Sequence, residues 1–305
     1  MRCLVTGGAG FIGSNLVDRL IDLKHSVRVL DNESAIANKK FYWNEKAENY
    51  KLDISNFEVI KNHFKDIDVV FHLAAEARIQ PSLVNPLLVI QTNVVGTANV
   101  LQASREAGVS RVVYSSTSSA YGLKNKPPLD EGMVKDCLNP YSVSKTAGEE
   151  ICQMYTNLFG LETVIFRYFN VYGKRHPLKG PYAPVVGIFL RQLDASKRLT
   201  IVGDGEQRRD FTHVDDIVRA NLDASKFVNT KCVGRIINVG TGYNHSVNEL
   251  ASFISNKTTY LPIRRGEARE TLASTKIFHE IFGWIPKNRL EEWVKNEIDN
   301  KGEKQ

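Results

Sequence analysis

No stretch of the chain approaches the roughly 20 consecutive apolar residues that a membrane-crossing helix requires, so no membrane partner is expected. The first apolar run opens at Met1 itself, which leaves no room for a secretory leader and implies a cytoplasmic protein. Cysteine is scarce. The four present, Cys3, Cys137, Cys152 and Cys232, show none of the paired spacings of a metal site; they read as free thiols in a reducing compartment, and no metal is expected. Internal repeats and low-complexity tracts are missing too, which removes repeat architectures. Lys and Arg outnumber Asp and Glu by 40 to 34, but the basic residues are scattered and no basic run interleaves with aromatics, so no nucleic-acid partner is expected. The net charge of +6 suits a polyanionic nucleotide ligand, although a mildly basic surface is common enough that the sign decides little. What 305 residues and 34.3 kDa do allow is one compact α/β unit with a smaller appended lobe and a sizeable core.

The informative residues begin with Tyr141 and Lys145, four apart at the head of a helix-like stretch, which sets phenol and ammonium on one face. A free tyrosine titrates near pH ~10, so it becomes a base at neutral pH only beside a positive charge, which Lys145 is placed to supply. A shift of three units would take about 4 kcal/mol of differential stabilisation. At the other end of the chain a short apolar strand runs into Gly7-Gly8-Ala9-Gly10-Phe11-Ile12-Gly13 and then a helix. Glycines at 7, 10 and 13 permit a tight turn, close approach of backbone to a pyrophosphate and close packing of helix on strand, with free N–H groups facing the anion. The spacing is G-x-x-G-x-x-G rather than G-x-G-x-x-G. Asp31 ends the next apolar run, where a carboxylate accepts from a ribose 2′-hydroxyl and repels a 2′-phosphate; Asn32 follows it rather than an arginine, so NAD is favoured over NADP.

Strands are expected near residues 2–6, 26–30, 67–73, 111–116 and 161–166, and helices near 11–24, 55–64, 85–107 and 141–159. Such alternation implies a parallel, doubly wound sheet whose ligands sit beyond the carboxyl ends of the strands. Gly7, Asp31, Leu73 to Ala75, Ser115 to Thr117 and Arg167 to Asn170 all fall there. From Tyr172 onward Gly173, Pro177, Gly180, Pro181 and Pro184 break the pattern before a helix near 184–196, which marks a second lobe. The charged stretch 290–305 reads as a solvated terminal helix with a frayed end.

These segments, together with Leu52-Asp53-Ile54, His72-Leu73-Ala74-Ala75, Asn93 to Thr97, Arg167-Tyr168-Phe169-Asn170, Arg209-Asp210-Phe211 and Arg264-Arg265-Gly266-Glu267, resemble in order the extended short-chain dehydrogenase/reductases, most of all the UDP-galactose 4-epimerase type. The resemblance spans nearly the whole chain. It implies a Rossmann-type NAD-binding domain over 1–171, to which 213–240 returns, and a substrate-binding lobe over most of 172–305. It implies a cofactor site of Gly7, Gly10, Phe11, Ile12, Gly13, Asp31, Asn32, Asp53, Ile54, Leu73, Ala74, Ala75, Asn93, Ser115, Tyr141, Lys145, Tyr168 and Phe169. Catalysis is expected from Thr117, Tyr141 and Lys145, by transient oxidation at C4 of the sugar. Asn170, Ala183, Val185, Thr200, Val202, Arg209, Arg264 and Thr271, with Thr117, are expected around a UDP-sugar, the arginines as forks for pyrophosphate.

Two departures bear on the reaction. Sugar-nucleotide dehydratases carry an Asp-Glu pair just after this threonine and UDP-glucuronate decarboxylases a Glu; here Ser118 and Ser119 stand there, and a hydroxyl does not readily replace a carboxyl acid. Where some relatives close the pocket around the C2 substituent with a tyrosine, this chain has Thr271, which leaves room for an N-acetyl group. The other readings are a nucleotide-sugar dehydratase or 4-ketoreductase of the same superfamily, or an NAD-sensing regulator without catalysis. The resemblance also implies a homodimer through the helices near 85–107 and 141–159.

Overall fold

The computed structural model describes residues 1–35, 37–38, 40–178, 183–263 and 268–302. Its centre is a seven-stranded sheet, all of whose pairings are parallel. In chain order the first six strands are β1 (Arg2–Thr6), β2 (Ser26–Asp31), β3 (Glu48–Lys51), β4 (Val69–His72), β5 (Arg111–Thr117) and β6 (Glu162–Tyr168). Ile236–Val239 joins beside β6, so the order across the sheet is Ile236–Val239, β6, β5, β4, β1, β2, β3.

Strands covered on both faces are near-continuous apolar runs, and β4 and β5 are buried at every position. One face carries the helices Phe11–Asp22, Val214–Ala224 and Lys276–Phe282, whose Leu16, Val17, Ile217 and Phe278 pack on Val5, Val29 and Phe166. The other carries Gly96–Glu106 and Pro140–Phe159, where Val100, Leu101, Cys152 and Tyr155 meet Val70, Val112 and Ile165. The sheet is therefore wound on both sides, as the alternation of elements requires. A separate apolar cluster joins the helices Val185–Asp194, Val247–Ser252 and Leu290–Gly302, built on Tyr172, Phe189, Leu190, Leu250 and Val294. No helix among the described residues is long and apolar enough to cross a membrane.

The helix that carries the Tyr-x-x-x-Lys pair has the clearest local causes. Asn139 caps it through a reciprocal capping box with Ser142, Pro140 occupies the first turn, and Gly160 ends it in the left-handed conformation at φ 70°. Its middle is fastened to the sheet. Glu149 is wholly buried and takes both arms of the Arg167 guanidinium from β6, at 2.8 and 2.7 Å, while Ser116 on β5 donates at 2.6 Å. Burial alone would raise the Glu149 pKa, but Arg167 and Ser116 hold it below the usual carboxylate value.

Two of the differences from the sequence expectation have plain local causes. β3 was not anticipated, because Glu48–Lys51 is exposed at all its positions and shows no alternation of apolar and polar residues. The expected helix over 85–107 is instead Pro86–Ile90, a π-helical turn Gln91–Val95 and Gly96–Glu106, preceded by a further short helix Ile79–Val84. Pro86 starts a new helix because a proline fits the first turn and not the interior, and the π turn shifts the register of the side chains around Asn93.

Candidate active-site cleft

A cleft of about 520 Å³ runs along the carboxyl edge of the sheet and on between the sheet and the second apolar cluster. At one end lies the glycine turn. Gly7 stands at φ +70°, and its N–H donates to Leu30 O at 2.7 Å. A Cβ added at Gly13 would lie 2.2 Å from Gly7 O, and one at Gly7 would lie 2.7 Å from Ala74 N. Turn, helix start and the end of β4 thus pack at distances only bare backbone tolerates. The helix Phe11–Asp22 begins at Gly10, whose missing side chain leaves the first-turn N–H groups without a side-chain cap, and these face the cleft. Asp31 is 8% exposed and holds the turn by accepting from Ala9 N at 3.1 Å and Glu33 N at 2.8 Å. Burial pushes its pKa up against the pull of those N–H groups.

At the middle of the cleft Thr117, Tyr141 and Lys145 come together from the end of β5 and the start of Pro140–Phe159. Burial pushes the Tyr141 phenol up; the hydroxyl of Thr117, within hydrogen-bonding reach, and the Arg78 guanidinium pull it down. Lys145 is 3% exposed, its Nζ lies 4.2 Å from the centre of the Tyr114 ring, and burial brings its pKa down to about 7. The Lys145 ammonium makes no hydrogen bond or ion pair within the described residues, so its donors are available to a ligand. Ser115 donates to the Tyr168 hydroxyl at 3.1 Å, which also receives Asn221 Nδ2 at 2.7 Å, fixing that ring against the cleft.

Toward the far end the lining passes to Asn170, Ala183, Val185, Thr200, Val202, Arg209 and Thr271. Asn170 Nδ2 bridges Asp210 O at 2.9 Å and Thr271 Oγ1 at 3.2 Å. Arg209 donates to Arg208 O at 2.9 Å and Arg269 O at 3.2 Å. Gly7, Gly10, Phe11, Ile12, Gly13, Asp31, Asn32, Ile54, Leu73, Ala74, Ala75 and Ser115 line the cleft as well. Three expected cofactor residues do not. Asp53 sits behind Asn32, whose Nδ2 donates to it at 3.0 Å. Asn93 is wholly buried and clamps Glu76 N, Glu76 O and Ser144 Oγ at 2.8, 3.0 and 2.9 Å. Phe169 packs under Tyr121 with Leu129 and Ala273. Asn93 and Phe169 stand next to lining residues in sequence but are buried, Asn93 through the π turn and Phe169 just past the end of β6, whereas Asp53 stays exposed in the loop beyond β3. Arg264 and its motif lie outside the described residues.

Sequence reasoning passed over Arg78, Gln80, Leu138 and Gln207, all of which line the cleft. The signal for Arg78 was positional. It follows Ala75 by three residues in the segment leaving β4, and such segments open onto the carboxyl edge of a parallel sheet.

The family model for the NAD dependent epimerase/dehydratase family matches residues 3–240. This chain belongs to that family. It is 39% identical over 304 residues to a putative UDP-glucose 4-epimerase of Methanocaldococcus jannaschii, with 97% of each chain covered. Its structure superposes at a TM-score of 0.93 and 34% identity on the UDP-glucose 4-epimerase of Thermotoga maritima with UDP-glucose, covering 100% of this chain and 99% of that one. The Thermus thermophilus UDP-glucose 4-epimerase complex with NAD matches at 0.88 and 30%, covering 98% of both. NAD is the cofactor of this epimerase/dehydratase chain, and the bare-backbone cradle, the buried Asp31 and the available Lys145 ammonium fit a dinucleotide. Replacing Asp31→Asn is expected to weaken NAD at least tenfold, about 1.4 kcal/mol, because the ribose loses an ionised acceptor. Fluorescence titration of NAD into stripped protein measures it; unchanged affinity would remove Asp31 from the cofactor's contacts.

Proposed function

We propose that this chain is an NAD-dependent UDP-hexose 4-epimerase that interconverts UDP-glucose and UDP-galactose. The observation that carries the reading is the meeting of Thr117, Tyr141 and Lys145 in one cleft with the glycine cradle on one side and Asn170 and Arg209 on the other. In this reading residues 1–171 with 213–240 hold NAD, and most of 172–305 holds the nucleotide sugar. The chemistry NAD supplies when bound over the cradle is acceptance of the C4 hydride and its return to the opposite face of the sugar once the 4-ketose has turned over in the cleft. Tyr141 takes the proton of the 4′-hydroxyl and gives it back; Thr117 hydrogen-bonds the same oxygen; Lys145 donates to the nicotinamide ribose. Asn170, Ala183, Val185, Thr200 and Val202 surround the nucleotide, and Arg209 with Arg264 neutralises the pyrophosphate.

Ser118 and Ser119 line the cleft next to Thr117, and Asp31 is the one acidic side chain among the described lining residues. With no carboxyl acid there to expel water from the 4-ketose, the reading favours epimerisation over dehydration. Purified protein given UDP-galactose and no added nicotinamide should form UDP-glucose with no net redox change, and Tyr141→Phe should lower kcat by roughly 10²–10⁴. A demand for stoichiometric NADH would instead assign a ketoreductase.

Thr271 lines the cleft with its hydroxyl on Asn170. A short side chain there leaves space around C2, so UDP-GlcNAc and UDP-GalNAc are proposed as further substrates. Thr271→Tyr should abolish N-acetylhexose turnover while sparing UDP-galactose; wild-type activity confined to plain hexoses would defeat this proposal.

A homodimer completes the reading. Val84 and Leu87 are 82% and 80% exposed on Ile79–Val84 and Pro86–Ile90, and Leu158 is 70% exposed on Pro140–Phe159, with Leu88 and Val143 exposed on the last two of these helices. An apolar face of this kind fits a second copy of the chain packed helix on helix. Light scattering should return twice the 34.3 kDa chain mass, and Leu87→Asp should shift it toward the monomer.

A further inference from the structure

The segment that leaves β4 carries a cation to which the reaction as described gives no part. Arg78 precedes the helix Ile79–Val84 and lines the cleft, half-buried, beside Tyr141. Its Nη1 donates to Ala77 O at 3.3 Å, and it forms no ion pair with any acid among the described residues. A desolvated guanidinium without a carboxylate is costly unless something nearby gains from its charge.

The segment is fastened to the helix that bears Tyr141 at two points. Tyr141 N donates to Ser82 Oγ at 3.3 Å, and Ser82 in turn donates to Ile79 O at 2.6 Å. Asn93 ties Glu76 N and O to Ser144 Oγ, three residues beyond Tyr141. Arg78 lies between these two clamps, so its position relative to the phenol is set by backbone rather than by a long flexible side chain alone. The groups around the phenol are Arg78 from this segment and Thr117 and Tyr114 from β5; Lys145, on the phenol's own helix, lines the same cleft. Of the two cations, Lys145 is turned onto the Tyr114 ring and loses its proton from about pH 7 upward. A guanidinium keeps its charge across the working range.

We propose that Arg78 is a positioning residue for the epimerisation, the permanent positive charge that holds the Tyr141 oxygen ready to accept the 4′-hydroxyl proton. The inference rests on the epimerase reading for the identity of the reaction but not for the pairing of the two side chains. The test is the pH profile of kcat/KM for UDP-galactose in wild type, Arg78→Gln and Arg78→Lys, with melting temperature as a check on folding. Removing a fixed cation raises the phenol's pKa, so the acid limb of Arg78→Gln should move up by about one pH unit. Its activity should fall about tenfold at pH 7 and recover toward wild type as the pH rises past the new limb. Arg78→Lys should retain most of the profile.

A loss by the same factor at every pH, or a rise in KM with the limb unmoved, would overturn the proposal, since either would make Arg78 structural or a substrate contact. Phenolate absorbance of the holoprotein, taken as the difference from Tyr141→Phe, provides a second readout independent of turnover. Ionisation of Tyr141 should begin at lower pH with arginine or lysine at position 78 than with glutamine, and coincident titrations of the arginine and glutamine forms would overturn the proposal. If wild type fails to turn over UDP-galactose, the epimerase reading falls, while this titration still judges the Arg78–Tyr141 pairing.

Discussion

The arrangement of the cleft depends on how the helix Pro140–Phe159 is seated on β5 and β6. The Glu149–Arg167 pair fixes its position along the strands, with Ser116 donating to the same carboxylate from β5. Its distance from the sheet is fixed at Gly148, where a Cβ would come 2.2 Å from the Tyr114 hydroxyl oxygen. A slide of one turn along this helix moves a side chain by 5.4 Å, roughly the width of a sugar ring, so the seat has to be unambiguous. A buried ion pair contributes modestly to stability when intact and costs about 3–5 kcal/mol when one partner is removed, which is how it selects a single seating. Tyr141 and Lys145 project from the first turns of the helix and inherit that register.

A second consequence of this seat is electrostatic. The helix presses Lys145 against the face of Tyr114, which suits a cation by its quadrupole but removes water from the ammonium. Desolvation outweighs that attraction and the pull of Glu149, whose charge is already shared with Arg167 and Lys135. The lysine is thereby left readily titratable within the physiological range. His72, wholly buried between Thr6 Oγ1 at 2.8 Å and Thr97 Oγ1 at 2.9 Å, is likewise driven down by burial, to about 3, and stays neutral. Positive charge at the centre of the cleft is thus unevenly durable, and Arg78 is the part of it that does not fade as pH rises.

Much of this was legible in the sequence because the deciding features are local. The glycine turn, the carboxylate closing β2, and a phenol and ammonium one helical turn apart are each written within a few residues, and all of them reach the cleft. What escaped depends on contacts far apart in the chain. β3 is an exposed edge strand whose pairing with β2, not its composition, makes it a strand. Asn93 was expected at the cofactor, but its amide is consumed by Glu76 and Ser144, a contact visible only once the π turn has rotated it inward. The pairing of Lys145 with Tyr141 is legible as spacing, but the seat of its ammonium over Tyr114 and the presence of Arg78 in the same cleft are set by tertiary packing.

The charge distribution along the cleft also constrains the kind of chemistry that can follow oxidation of a sugar. Elimination or decarboxylation at a ketose needs an acid or base beyond the one that served the 4′-hydroxyl. Among the described lining residues the only carboxylate is Asp31, at the cradle end and committed to Ala9 and Glu33, while the positions beside Thr117 offer serine hydroxyls. Under the proposed reading, a ketose formed at C4 meets a single proton carrier, Tyr141, and its exit is to turn over in the cleft and take hydride back on the opposite face, with the proton returned by Tyr141. Epimerisation then follows from what surrounds the reacting carbon. In that reading the fold supplies a place to oxidise, and the scarcity of further acids among the described lining residues keeps the oxidised sugar from going elsewhere.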